Sequence, residues 1–187
     1  MSNFLPSLVF KLSGWKTAGK APALKKYIVV GAPHTSNWDF VFGLSAWNLY
    51  GMKPRYLIKK EFYVFPLNIL FWLTGGVKVD RSKSNSLTES IVQMFAGRDE
   101  FVVIFPPEGT RKKVERWKTG FYYVALHAKV PIVLGAMDYK KKTTDLSEPF
   151  YPTGDIEKDF LVFKEFYRNV TPCNPEGFSV EGIRPKE

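Results

Sequence analysis

The chain has 187 residues, 45% of them hydrophobic and 16% aromatic, which suits one folded domain with a sizeable core and argues against disorder. One cysteine excludes an internal disulfide, and with two histidines it leaves no metal-ligand cluster, as fits a reducing, cytosolic compartment. The net charge of +9 is concentrated in residues 1–60, where nine Lys or Arg face one acid, Asp39; such asymmetry points to an anionic partner, whether nucleic acid, lipid surface or phosphorylated substrate.

At the N-terminus, Phe4, Leu8, Leu12 and Trp15 recur at helical spacing among Lys11, Lys16 and Lys20. Residues 1–25 therefore read as a basic amphipathic segment that either lies in a membrane interface or docks on the core, ahead of a domain over 26–187. Short runs rich in β-branched and aromatic residues predict strands at Lys26–Ala32, Arg55–Lys59, Gly76–Asp80, Phe101–Phe105 and Pro131–Met137. Helical periodicity occupies Phe40–Tyr50, Ser86–Ala96, Gly120–Lys129 and Ile156–Tyr167, with Ser86 and Glu89 in capping-box spacing. Lys140–Thr153 reads as a strand or hairpin with turns. Strands alternating with helices predict a single α/β domain, its central sheet mostly parallel or mixed and flanked by helices. The longest uncharged run, Phe62 to Val77, is interrupted by Pro66, Asn68 and Gly75-Gly76 and is shorter than the roughly 20 residues that cross a bilayer.

Two blocks carry the chemistry. In His34-Thr35-Ser36-Asn37-Trp38-Asp39 a continuous helix would turn His34 and Asp39 away from each other. Pro33 keeps Ala32 extended, Thr35, Ser36 and Asn37 are N-cap types, and the apolar helix pattern begins at Trp38, so the backbone changes direction between the pair. Asp39 then lies in a first helical turn, where the helix dipole favours a carboxylate that can hold one imidazole nitrogen and leave the other as a proton acceptor. A general base with its orienting partner and a locally bonded N-cap cluster are both open on this pair alone. The second block follows the Phe101–Phe105 strand as Pro106-Pro107-Glu108-Gly109-Thr110-Arg111. Ligands collect outside the carboxyl ends of strands in open α/β sheets. Arg111 suits a phosphate or carboxylate, Gly109 permits close backbone approach, Thr110 adds a hydroxyl, and Glu108 either braces Arg111 or bonds a substrate hydroxyl.

These blocks resemble the glycerolipid acyltransferase family of the lysophosphatidate (1-acyl-sn-glycerol-3-phosphate) acyltransferase type. His34 to Asp39 matches its His-x-x-x-x-Asp motif, and Phe105 to Arg111 its Phe-Pro-Glu-Gly-Thr-Arg motif with an extra Pro. Lys60 with Pro66 and Gly76 to Asp80-Arg81 is similar to its second motif, Trp117 to Phe121 to its Phe-Lys-x-Gly-Ala segment, and Val130 to Val133 to its fourth motif. Pro33 stands where the family usually has Asn, and Leu134-Gly135 replaces the second Pro of the fourth motif. The resemblance implies a glycerol-3-phosphate acyltransferase-like fold and a peripheral enzyme on the cytoplasmic face of a membrane. By it, His34 takes the proton of a lysolipid hydroxyl, Asp39 orients the ring, and no covalent intermediate forms. Glu108, Gly109, Thr110 and Arg111, with Lys60 and Arg81, hold the acceptor's phosphate. No bound cofactor or metal is implied; acyl-CoA or acyl-carrier protein is the co-substrate. Phe62–Leu73 and Phe40–Leu49 are candidates to line an acyl groove.

Three rivals share these features. They are acyl transfer to a non-glycerol lipid such as an acylated amino acid, thioester hydrolysis, and a non-enzymatic basic membrane-binding module. Nucleic acid is not expected, because the chain has no Walker loop, no Gly-x-Gly-x-x-Gly and no RNA-recognition pattern. It also has no Gly-x-Ser-x-Gly nucleophile elbow. His127, between Leu126 and Ala128 on a helical pattern, reads as structural.

Overall fold

The computed structural model of the protein describes residues 4–79 and 84–186. Seven strands form one sheet in the spatial order β1 (Lys16–Thr17), β7 (Thr143–Leu146), β6 (Ile132–Asp138), β2 (Lys26–Gly31), β5 (Phe101–Phe105), β3 (Arg55–Lys59) and β4 (Gly76–Val79). Neighbours are parallel except β6 and β7, which pair antiparallel as the turn-rich 140–153 region leads one to expect. The mixed, mostly parallel α/β sheet expected from the sequence is thus present. The edge strand β1 was not foreseen, since two residues carry no period.

The helices are α1 (Phe4–Ser13), α2 (Trp38–Leu49), α3 (Leu67–Thr74), α4 (Ser84–Ala96), α5 (Gly120–Ala128) and α6 (Ile156–Tyr167). The α4 helix opens at Ser84, so Ser86 lies inside its first turn rather than at a cap. Asp155, by contrast, caps α6 through a bond from the Lys158 amide at 3.2 Å. The α1 helix stops at Ser13, which breaks the expected stripe. Phe10 and Trp15 turn into the molecule, Leu12 faces out, and Trp15 stacks on Phe42 of α2 with ring centres 4.7 Å apart.

Helices cover both faces of the central strands, so these read as unbroken apolar runs rather than alternating ones. On one face Ile28, Val30, Val103, Ile132 and Leu134 pack against α4, α5 and α6 together with the wholly buried Trp117. On the other, Tyr27, Val29 and Val133 meet Met52 and the half-buried Trp47 and Tyr50. Gly31 and Gly135 are register partners on that second face, where larger side chains would have closed the space beneath α2. No helix among the described residues is long and apolar enough to cross a membrane.

Candidate active site

Because β2 and β5 are adjacent and parallel, with Val30 opposite Phe105, the loops leaving their carboxyl ends emerge side by side. The first loop carries His34. Asn37 precedes α2 without capping it through its side chain. Asp39 instead reaches back from the first turn: its Oδ2 accepts the amides of Thr35 (2.7 Å) and Ser36 (2.8 Å). The same oxygen lies 3.2 Å from His34 Nδ1, and Oδ1 accepts the Tyr139 hydroxyl at 2.7 Å. Burial would raise the Asp39 pKa, but the hydrogen bonds from His34, Tyr139 and the two amides outweigh it, and the carboxyl lies below its ordinary value. An ionised, buried acid (4% exposed) therefore fixes the proton on Nδ1 and leaves Nε2 as the basic nitrogen of a half-exposed ring.

The second loop supplies Glu108, whose Oε1 accepts the His34 amide at 3.2 Å. Glu108 faces neither Arg111 nor solvent: it is 5% exposed, and its Oε2 is buried without a partner among the described residues. Burial pushes its pKa up to about 7, against weaker opposing hydrogen bonds from its own backbone and from His34. Gly109, at φ +64, makes the turn with the Lys118 side chain lying close over its Cα. Arg111 is exposed and donates from Nη1 to Asn37 Oδ1, which ties the two loops across the sheet end. Thr110 is exposed and accepts the Lys112 amide at 3.3 Å. Lys60 begins a short 3-10 turn, Lys60–Phe62, after β3, two strands from His34, and it does not line the cavity described below. Arg81, with Asp80, lies outside the described residues. His127 is exposed on α5.

A cavity of about 940 Å³ opens beside His34 and runs beneath α2. Gly31, Gly135, Gly43 and Ala46 keep it open, and Ile104 and Leu146 give it apolar walls. Phe40 and Trp47 of α2 line it as expected, but no residue of Phe62–Leu73 does. That segment bridges β3 to the edge strand β4 and has no further sheet to cover, so it projects outward.

Three positions of the candidate site carry no sequence signal of their own. Lys118 is a cation in the cavity wall, held by a bond from its amide to Pro107 O at 2.9 Å; the sequence block around it resembles a family segment that gives its side chain no role. Tyr139 comes from beyond β6 to hold Asp39. Asn174 donates from its amide to Thr35 Oγ1 (3.1 Å) and from Nδ2 to Thr35 O (2.7 Å). Gly177 sits so close to Thr35 and the Arg111 carbonyl that a Cβ there would be 3.1 Å from each. The 171–178 segment thus straps both loops.

The sequence model of the family Acyltransferase matches residues 16–137, more than half of the chain, and the protein belongs to that family. Within it, the 1-acyl-sn-glycerol-3-phosphate acyltransferase of Salmonella typhimurium is 33% identical over 109 residues, covering 54% of this chain and 43% of that protein. The protein of the same name from Haemophilus influenzae is 29% identical over 136 residues, 67% of this chain and 55% of that one. The chain therefore spans about half the length of these relatives. The crystal structure of the 1-acyl-sn-glycerophosphate (LPA) acyltransferase PlsC from Thermotoga maritima superposes with a TM-score of 0.60 at 17% identity, over 88% of this chain and 73% of that one, so the fold is shared.

Proposed function

We propose that the protein moves a fatty acyl group from an acyl thioester, acyl-CoA or acyl-carrier protein, to the hydroxyl of a lysophospholipid such as 1-acylglycerol 3-phosphate. The observation that carries this reading is the His34–Asp39 pair, set against the Glu108–Arg111 loop at the mouth of a largely apolar cavity. His34 Nε2 takes the hydroxyl proton as that oxygen attacks the thioester carbonyl. A C–O bond forms, the C–S bond breaks, and the thiolate leaves with the proton that His34 carried. Asp39 stabilises the imidazolium between the two transfers, and no acyl-enzyme is required. Arg111 and Lys118, with the Gly109 turn, receive the acceptor's phosphate, and the space beneath α2 takes the acyl chain. The names of the relatives support the choice of acceptor, and the basic N-terminal third supports work at the cytoplasmic face of an anionic membrane.

Incubation with acyl-CoA or acyl-carrier protein and a panel of lysolipids, read by mass spectrometry, yields a new ester whose mass names the acceptor. Free fatty acid alone makes the protein a thioesterase, and an acylated amino-acid lipid moves the acceptor outside the glycerolipids. His34→Ala lowers turnover by about 10²–10⁴ while the fold persists; undiminished turnover overturns the base assignment.

A further inference from the structure

The α3 helix and the turn before it break the rule that an apolar helix buries its apolar side. Its sequence, LNILFWLT, is apolar almost throughout, yet it contains no buried residue. Phe62, Phe65, Leu70, Trp72 and Leu73 stand between 53% and 78% exposed in one short projection. Other exposed large apolar residues, such as Leu12 and Leu161, lie on separate elements, which is ordinary for a surface. A contiguous cluster of this kind marks an interaction surface.

The chemistry around it names the occupant. Residues 53–79 carry five Lys or Arg against one Glu. Lys53, Arg55 and Lys59 are exposed beside the projection, and the Arg55 side chain lies against Gly75 at the end of α3. Aromatic side chains ringed by cations are what an anionic bilayer takes: the rings enter the headgroup layer and the cations meet lipid phosphates. The projection is also joined to the cavity. Tyr56 lines the cavity, its hydroxyl meets Thr74 Oγ1 of α3 at 2.5 Å, and its ring packs edge-on against Phe40 with centres 5.3 Å apart. Phe40, Val41 and Trp38 continue the exposed apolar surface along α2 toward His34.

We infer that Phe62–Leu73 is the membrane-docking element, inserting into an anionic bilayer so that the cavity mouth at Tyr56 and Phe40 faces the lipid and a two-tailed product or one-tailed acceptor passes sideways between them. This rests on the lysolipid reading above for the passage of substrate, but the docking itself does not. Docking assigns the bilayer contact to the β3–β4 crossover rather than to residues 1–25, whose Phe10 and Trp15 are spent on α2.

The test is vesicle co-sedimentation with no acyl donor present, using phosphatidylcholine vesicles with and without phosphatidylglycerol. The wild-type chain partitions onto the mixed vesicles, and added salt weakens the interaction. Phe65→Ser/Trp72→Ser, two fully projecting positions, lowers partitioning about a hundredfold, as the loss of two inserted rings requires. Leu161→Ser on α6 leaves partitioning unchanged, and His34→Ala binds vesicles like the wild type even if it forms no ester. Unchanged partitioning of the double variant, or an equal loss in Leu161→Ser, overturns the inference. So does sedimentation of the wild type as a dimer that ignores vesicles and that the double variant dissolves, for then a second copy covers the surface.

Discussion

On one side of the sheet, Trp117, Phe121, Tyr122, Phe160 and Tyr167 press against Ile28, Val30 and Leu134 with almost no residual exposure. On the other, α2 spans Gly31 and Gly135, and the space between helix and sheet belongs to the cavity. The same strands serve both sides, because their alternate residues point opposite ways. The packed side supplies stability and the open side supplies room, and the reactive loops sit at the sheet end where the two meet. The candidate site is accordingly held by hydrogen bonds rather than by packing. Asp39, Glu108 and Thr35 are buried polar groups bordering an opening, and each is fixed by named donors or acceptors.

Changes on the packed side have the largest effect. Trp117→Ala leaves a void under α5 and α6 and costs about 3–5 kcal/mol in urea unfolding, with the cavity face intact. A loss near zero would mean that the two sides are packed alike.

The next effect concerns Glu108 and pH. Its folded pKa of about 7 lies above its ordinary 4.5, so the folded chain keeps a proton that the unfolded chain has released between those values. Its contribution is whole below the ordinary value and is lost as pH rises through 7, roughly 3 kcal/mol across the window. Glu108→Gln, which holds a neutral amide at every pH, flattens that slope in unfolding curves measured from pH 4.5 to 7.5. Asp39 runs the opposite way: its lowered pKa keeps its contribution above the ordinary value and loses it in acid.

Tyr139→Phe gives the smallest effect. Removing a hydrogen bond to a charged group costs about 1.5–3 kcal/mol. The Asp39 carboxyl then titrates at higher pH, and the acid limb of the pH–stability curve moves up with it. A fall in stability with an unmoved acid limb would make Tyr139 a packing residue only.

The sequence was legible where chemistry is local. Five strands stand close to the runs of β-branched residues that announced them, and His34 and Asp39 meet because Pro33 and the N-cap residue types bend the chain between them. The pairing of the two loops followed from strand ends, but its form did not. Glu108 was open between bracing Arg111 and bonding a substrate hydroxyl, and it lies under His34, since a side chain's direction after a Pro-Pro turn is set by the neighbouring strand. Tyr139 and Asn174 were out of reach for a different reason: their partners stand 100 and 139 residues away, a distance that no spacing rule spans. The Phe62–Leu73 run was expected to line a groove and instead faces out, because apolar composition is the same whether a segment is covered or exposed.

The strap over Thr35 has a consequence for synthesis. The asparagine that bonds Thr35 at both its hydroxyl and its carbonyl is added 139 residues after it. The pairing of β2 with β5 and the contact of His34 with Glu108 need no residue beyond 108, whereas these two restraints on the loop wait for residue 174. The loop that carries His34 is therefore held in full only when Asn174 has joined the fold.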